Sequence, residues 1–243
     1  MNLNQKAAPI QIALDGTPAS GKSTVGTMLA DRLACDFLDT GLMYRAMTYL
    51  ALENSLSLDD SDALGVLAEA TSFSVHQGPE SSWRLMVNDR DISNRLHSED
   101  INRDVSQVAA VPQVRRALVR KQREIASQRS TVMAGQDIGT VVLVNAPVKI
   151  YLNASVATRA ARRTRDTSGN SEGHRYEVVL SSIKRRSEFD TNRVDSALRP
   201  ADDAIVIATD DLTADEVVEK VLSYISTKLN RTGNLGMTGK RTA

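Results

Sequence analysis

A chain of 243 residues with 41% hydrophobic content is long enough for one large domain, or for a core carrying small insertions. Thirty basic residues balance thirty acidic ones, which argues against a general nucleic-acid or membrane-surface binder and leaves room only for local patches. The single cysteine, Cys35, excludes an intramolecular disulfide framework and suits a reducing cytosol. Its place in the apolar run leading to Phe37 makes it buried filler rather than a reactive thiol. Aromatic residues are only 4% of the chain, so the core is expected to be built from Ala, Val, Leu and Ile.

Residues 1–9 lack the apolar stretch of a secretory signal and read as a disordered tail; no run approaches membrane-spanning length, so a cytoplasmic protein is expected. Ile10–Leu14 reads as a short buried strand. Gly16-Thr17-Pro18-Ala19-Ser20-Gly21-Lys22-Ser23 follows it and fits the G-x-x-x-x-G-K-[ST] phosphate-loop pattern. Val25, Met28, Leu29 and Leu33 then recur at helical spacing. The chemistry needs this order of strand, loop and helix. Glycines let successive backbone N–H groups curl around a triphosphate, and the following helix aims its N-terminal dipole at the anion. Lys22 can reach the β- and γ-phosphates, and the Ser23 hydroxyl can ligate magnesium.

Cys35–Leu38, Thr131–Ala134, Val148–Leu152 and Ala204–Ala208 read as further strands. Helical patterns cover Val25–Leu33, Met43–Leu52, Val114–Ala126 and Val156–Arg163. This alternation predicts an α/β fold: a five-stranded parallel sheet with helices on both faces, and the phosphate loop at its carboxyl end. Two stretches break the pattern. In residues 71–104, Phe73/Val75, Trp83/Leu85/Val87 and Ile92 alternate at period two, with turn candidates at Gln77–Glu80 and Asn88–Asp91. They predict a small antiparallel insertion in which Trp83 packs. Residues 159–193 carry nine basic side chains against five acidic ones, mostly arginines, around a Gly/Ser/Asn-rich middle at Asp166–Gly173. Planar guanidinium forks suit phosphate oxygens, so residues 164–190 are read as a mobile lid. Residues 10–227 form the expected domain, and 228–243 a flexible polar tail. The histidines, His76, His97 and His174, are scattered and suggest no metal cluster.

Beyond the phosphate loop the chain resembles the bacterial cytidylate kinases, nucleoside monophosphate kinases of the phosphate-loop superfamily. Leu38-Asp39-Thr40-Gly41-Leu42-Met43-Tyr44-Arg45 matches their LDTG-x-MYR segment. Ser106-Gln107-Val108-Ala109-Ala110 through Val114-Arg115 matches S-x-VA…VR, and Gly135-Gln136-Asp137-Ile138-Gly139-Thr140 matches GRDIGT with one change. Asp190-Thr191-Asn192-Arg193 and Pro200-Ala201-Asp202-Asp203-Ala204 match the late D-x-NR and P-x-DA segments. These stand in order over residues 10–225.

The resemblance implies ATP as phosphoryl donor, Mg2+, and CMP or dCMP as acceptor. With the balanced charge, the lack of a signal or spanning run and no exposed apolar stripe, the expectation is a cytoplasmic monomer whose partners are small nucleotides, with no nucleic acid or membrane. The resemblance places Gly16, Thr17, Pro18, Ala19, Ser20, Gly21, Lys22, Ser23 and Thr24 around the ATP phosphates, with Ser23 on the metal. Arg159 and Arg163, four apart on one helix face, would serve the donor. Arg45 would receive the monophosphate, with Tyr44 beside it and Asp39 and Thr40 shaping the pocket. Ser106 and Arg115 would read the cytosine edge, and Asp190 the ribose hydroxyls. Arg186 and Arg193 would flank the lid and, with Lys22 and Arg163, meet the transferring group. Read by themselves, Asp39 and Asp190 favour helix or turn caps, and Arg115 a surface charge; the ordered set of motifs favours function. Asp137 either orients a magnesium-bound water or contacts the acceptor. The chain departs from the family at Gln136 and His97, where arginines are usual, and at Ser196-Ala197-Leu198, which lacks the proline of APL. Two alternatives stand beside this reading: a kinase for another small acceptor such as UMP, AMP or shikimate, and a nucleotide-binding switch. The absence of an N/T-K-x-D motif and the incomplete Walker B run Val132–Asp137 speak against the switch.

Overall fold

The computed structural model describes residues 9–78, 83–166, 172–191 and 198–232. Five strands form one parallel sheet: β1 (Gln11–Gly16), β2 (Asp36–Asp39), β6 (Thr131–Gly135), β7 (Val148–Asn153) and β8 (Ile205–Ala208). Their order across the sheet is β2-β6-β1-β7-β8, which puts β1 at the centre. Each expected strand is present, shifted by no more than a residue or two at its ends. Pairing matches Asp15 with Gly135 on one side and with Tyr151 on the other, so the carboxyl ends of three central strands lie level.

Period-two alternation divides the central residues between two cores. Ile12, Leu14, Val132, Val148 and Ile150 face α1 (Lys22–Leu33) and α8 (Ala214–Thr232), where they meet Val25, Leu29, Val217 and Val221. Cys35 is buried in this layer as filler. Ala13, Leu38 and Met133 point the other way. They are covered by α2 (Thr40–Glu53), α3 (Ser61–Ala70), α4 (Glu99–Val108) and α5 (Pro112–Gln128) through Met43, Met47, Leu64, Val105 and Leu118. Fully burying each such side chain contributes about 1.5–3 kcal/mol, so both helical layers are fixed by the sheet.

The antiparallel insertion is a three-stranded sheet of β3 (Phe73–Gln77), β4 (Trp83–Val87) and β5 (Arg90–Asp91). Asn88 and Asp89 both adopt left-handed backbone, at φ 48° and 60°, and make the tight turn between the last two strands. The insertion does not stay β-structured to residue 104. A 3-10 turn, Ser93–Arg95, leads into α4, whose apolar residues Ile101, Val105 and Val108 return to the core at helical spacing.

The basic stretch is helical. α6 (Val156–Asp166) and α7 (Glu172–Thr191) pack on each other, and residues 167–171 between them lie outside the described residues, as do 1–8 and 233–243. α8 continues to Thr232, so the stretch expected as tail from Lys228 begins as helix. Among the described residues no helix is long and apolar enough to cross a membrane.

Candidate active site

The phosphate loop joins β1 to α1 at the level carboxyl end of the sheet. Gly16 stands at φ 153° and a Cβ there would lie 2.2 Å from the Leu152 carbonyl oxygen, so only glycine lets β1 run this close to β7. Ala19 (φ 62°) and Gly21 (φ 99°) turn the loop into the first turn of α1. Lys22 folds back across it, its Nζ donating to the carbonyls of Gly16 (2.9 Å) and Thr17 (2.8 Å). Thr24 and Ser23 are exposed at the helix start.

Two arginines of α6 hold the loop from behind. Arg159, only 3% exposed, donates to Pro18 O at 3.3 Å and to Ser187 Oγ of α7 at 2.9 Å. Its Nε donates to Ala154 O at 3.2 Å. Arg162, which the sequence reading did not single out, donates to Ser20 O at 3.2 Å, Thr209 Oγ1 at 3.0 Å and Thr209 O at 2.5 Å. Burial holds the Arg159 guanidinium below its usual basicity. Arg163 is exposed on the same helix.

The second wall begins at β2. Asp39 caps α2 through Oδ1, which accepts from Gly41 N at 3.0 Å, and its Oδ2 accepts from Ser23 Oγ at 2.5 Å. Thr40 is buried and donates its hydroxyl to Ala134 O at 2.9 Å, tying α2 to β6. Tyr44 lies under Arg115, whose guanidinium carbon is 5.5 Å from the ring centroid. Arg115 also pairs with Asp137 in a buried contact and donates to Ala109 O at 3.2 Å, which anchors it at the α4–α5 corner. Ser106 is half-buried on α4, one turn before that corner. Arg45 donates to Leu96 O (3.0 Å) and Asn102 Oδ1 (2.8 Å), while Asn102 Nδ2 donates to His97 O (3.0 Å). Partial burial and the Arg45 and Arg163 guanidiniums hold the His97 imidazole below its ordinary value, against an opposing pull from Asp39. The structure thus brings His97 into one electrostatic field with Arg45, Arg163 and Asp39. The sequence offered no sign of this beyond the arginine it replaces.

Between the walls runs the segment after β6. Gln136 is half-buried there. Asp137 opens a five-residue π turn, Ile138–Val142. Asp15, at the end of β1 and 3% exposed, accepts from Ile138 N at 2.6 Å and Gly139 N at 2.7 Å. Burial pushes its carboxyl up to about 6; the two N–H bonds and Lys22 oppose this, and Asp137 adds to it. A charged residue ending an otherwise apolar strand was the only signal for Asp15 in the sequence. The far end of the turn is held by Arg123, which donates to Val142 O (2.8 Å) and Val141 O (2.7 Å). The side chains of Arg186 and Asp190, and Arg193 as a whole, lie outside the described residues.

The site therefore has an anion cradle with a lysine and a hydroxyl on one side. On the other, Arg45, His97 and Asp39 share one electrostatic field, and an anchored Arg115–Asp137 pair stands at the α4–α5 corner. The Cytidylate kinase family model matches residues 12–227. A cytidylate kinase from Carboxydothermus hydrogenoformans is 42% identical over 219 residues, covering 90% of this chain and 98% of that protein. One from Streptococcus gordonii is 43% identical over 209 residues, 86% of this chain and 93% of that one. One from Bacillus licheniformis is 39% identical over 220 residues, 90% and 97% respectively.

Proposed function

Because the chain belongs to the cytidylate kinase family, we propose that it transfers the γ-phosphoryl group of ATP to the 5′-phosphate of CMP or dCMP, giving ADP and CDP or dCDP. The observation that carries this reading is the Ser23–Asp39 hydrogen bond, which joins the first turn of the phosphate-loop helix to the acceptor wall. It sets the two phosphate-binding halves side by side, as direct transfer requires.

The attacking atom is a phosphate oxygen that is already anionic near neutral pH, so no strong general base is needed. Catalysis rests on positioning and on charge neutralisation. The loop N–H groups and the start of α1 bind the donor phosphates. Lys22 leaves the carbonyls of Gly16 and Thr17 for the β- and γ-phosphates. Arg45 binds the acceptor phosphate, Arg115 and Ser106 the cytosine edge, and Gln136 donates a neutral hydrogen bond where an arginine is usual. Arg163, Arg186 and Arg193 meet the transferring group and Asp190 the ribose hydroxyls, while residues 164–190 are read as a lid that closes to exclude water.

The Ser23 hydroxyl and Asp39 carboxylate are oxygen donors of the kind Mg2+ takes, and the described residues hold no cluster of three or more His, Cys, Asp or Glu for a metal. That suits an ion held by one or two protein oxygens, water and substrate phosphates. Mg2+ supplies neutralisation of phosphate charge; Ser23 and Asp39 supply its place. We read the protein as a cytoplasmic monomer whose partners are small nucleotides.

The test is coupled ADP release with magnesium-ATP and each of CMP, dCMP, UMP, AMP and shikimate. Stimulation by CMP and dCMP is expected. Equal or greater stimulation by another acceptor, or none by any, overturns the proposal.

A further inference from the structure

We propose that Asp15 is a positioning residue for the acceptor side: it caps the π turn from another strand and so leaves Asp137 to pair with Arg115. The deduction starts from the orphan N–H groups that open any helical turn. The side chain at the capping position ordinarily satisfies one of them, the N–H two or three residues on, and aspartate is among the best at doing so. Asp137 occupies that position, yet its side chain makes no capping hydrogen bond. Ile138 N and Gly139 N are bonded instead by Asp15, 123 and 124 residues earlier in the chain. The fit is close. A Cβ at Gly139 would lie 3.1 Å from Asp15 Oδ2 and 3.1 Å from Lys149 Cδ. With its own capping duty taken, the Asp137 carboxylate turns to Arg115.

The arrangement also joins the two halves of the site. Asp15 immediately precedes Gly16, so the start of the donor cradle and the wall that holds Arg115 are linked through one carboxylate. The groups facing it are Lys22 from α1, Asp137 from the turn, and Tyr151 and Lys149 from β7. Replacing the carboxylate with an amide keeps one acceptor and sets a donor against the second N–H. The turn then recruits Asp137, its natural cap, and Arg115 loses its carboxylate while keeping Ala109 O and the Tyr44 face.

This inference rests on the cytidylate kinase reading for its kinetic arm only. In Asp15→Asn the KM for CMP is expected to rise about tenfold while that for ATP changes little. The double variant Asp15→Asn/Asp137→Asn is expected to be no worse than Asp137→Asn alone, since both act through one contact. Full additivity overturns the proposal. A second arm needs no activity. Amide exchange at Ile138, whose N–H a cap from Asp137 does not reach, is expected to be slow in the wild type and faster in Asp15→Asn, and unchanged exchange there overturns the proposal. Should the variant not fold, the wild type still decides. Exchange at Ile138 and Gly139 in the wild type as fast as in an unprotected backbone amide rejects the cap. If no acceptor stimulates the wild type, the functional reading fails while the amide measurements continue to judge Asp15.

Discussion

Ser23 Oγ lies 2.5 Å from Asp39 Oδ2, a contact between residues sixteen apart that ties the first turn of α1 to the cap of α2. One carboxylate makes both contacts: Oδ1 caps the start of α2 and Oδ2 accepts from the Ser23 hydroxyl, so one rotamer is compatible with the cap and with the pocket role proposed for Asp39.

Ser23→Ala is expected to lower turnover about 10–100-fold, with a raised Mg2+ requirement, because removing an outer partner or a single weak ligand of a metal has effects of that size. Asp39→Asn is expected to do the same and also to lower thermal stability slightly, since the negative charge at the start of α2 is lost. Magnesium titrations of ADP release, read beside melting curves, separate the two effects.

Arg159 gives its guanidinium to Pro18, Ser187 and Ala154, all protein atoms. If it braces the loop, Arg159→Met loses stability even without nucleotide. Three charge-assisted bonds are worth about 4–5 kcal/mol, roughly 10–15 °C in a domain of this size. A melting temperature unchanged in the absence of ATP, with ATP affinity lost, assigns Arg159 to the nucleotide instead.

Gln136→Arg restores a guanidinium where the family has one. A charged contact to phosphate exceeds a neutral one by about 1 kcal/mol or more, so the KM for CMP is expected to fall several-fold. Steady-state kinetics at saturating ATP measure it. An unchanged or raised KM shows that this pocket has adapted to glutamine.

Burial raises the Asp15 carboxyl to about 6 from its ordinary value near 4. A raised pKa favours the folded state while the group is protonated. Its contribution is therefore full below about pH 4 and lost as pH rises through about 6, by about 3 kcal/mol. Urea unfolding of wild type and Asp15→Asn at several pH values reads this directly. The wild type's advantage over the variant shrinks from acid to neutral pH, opposite to the usual behaviour of a salt-bridged carboxylate.

The five strands were legible because each is an apolar run bounded by turn residues; Thr131–Ala134 and Val148–Leu152 lie within their observed spans. Helix α3 was not read, although Asp60 caps it by accepting from Ala63 N. Its short apolar pattern is diluted by alanines and a glycine. The i, i+4 spacing of Arg159 and Arg163 suggested a shared face, but four residues leave about 40° between them. That is enough to bury Arg159 against the loop and expose Arg163. Contacts such as Asp15 to Gly139 join residues 124 apart, and no local pattern encodes them.

Arg115 is held by a carboxylate, a backbone carbonyl and the face of Tyr44. A free arginine side chain carries about 2 kcal/mol of rotamer entropy, and most of it here is given up when the chain folds. On the proposed role of Arg115 at the cytosine edge, a nucleotide finds one orientation already selected, and discrimination against a wrong base is settled once, during folding, rather than organised anew by each ligand.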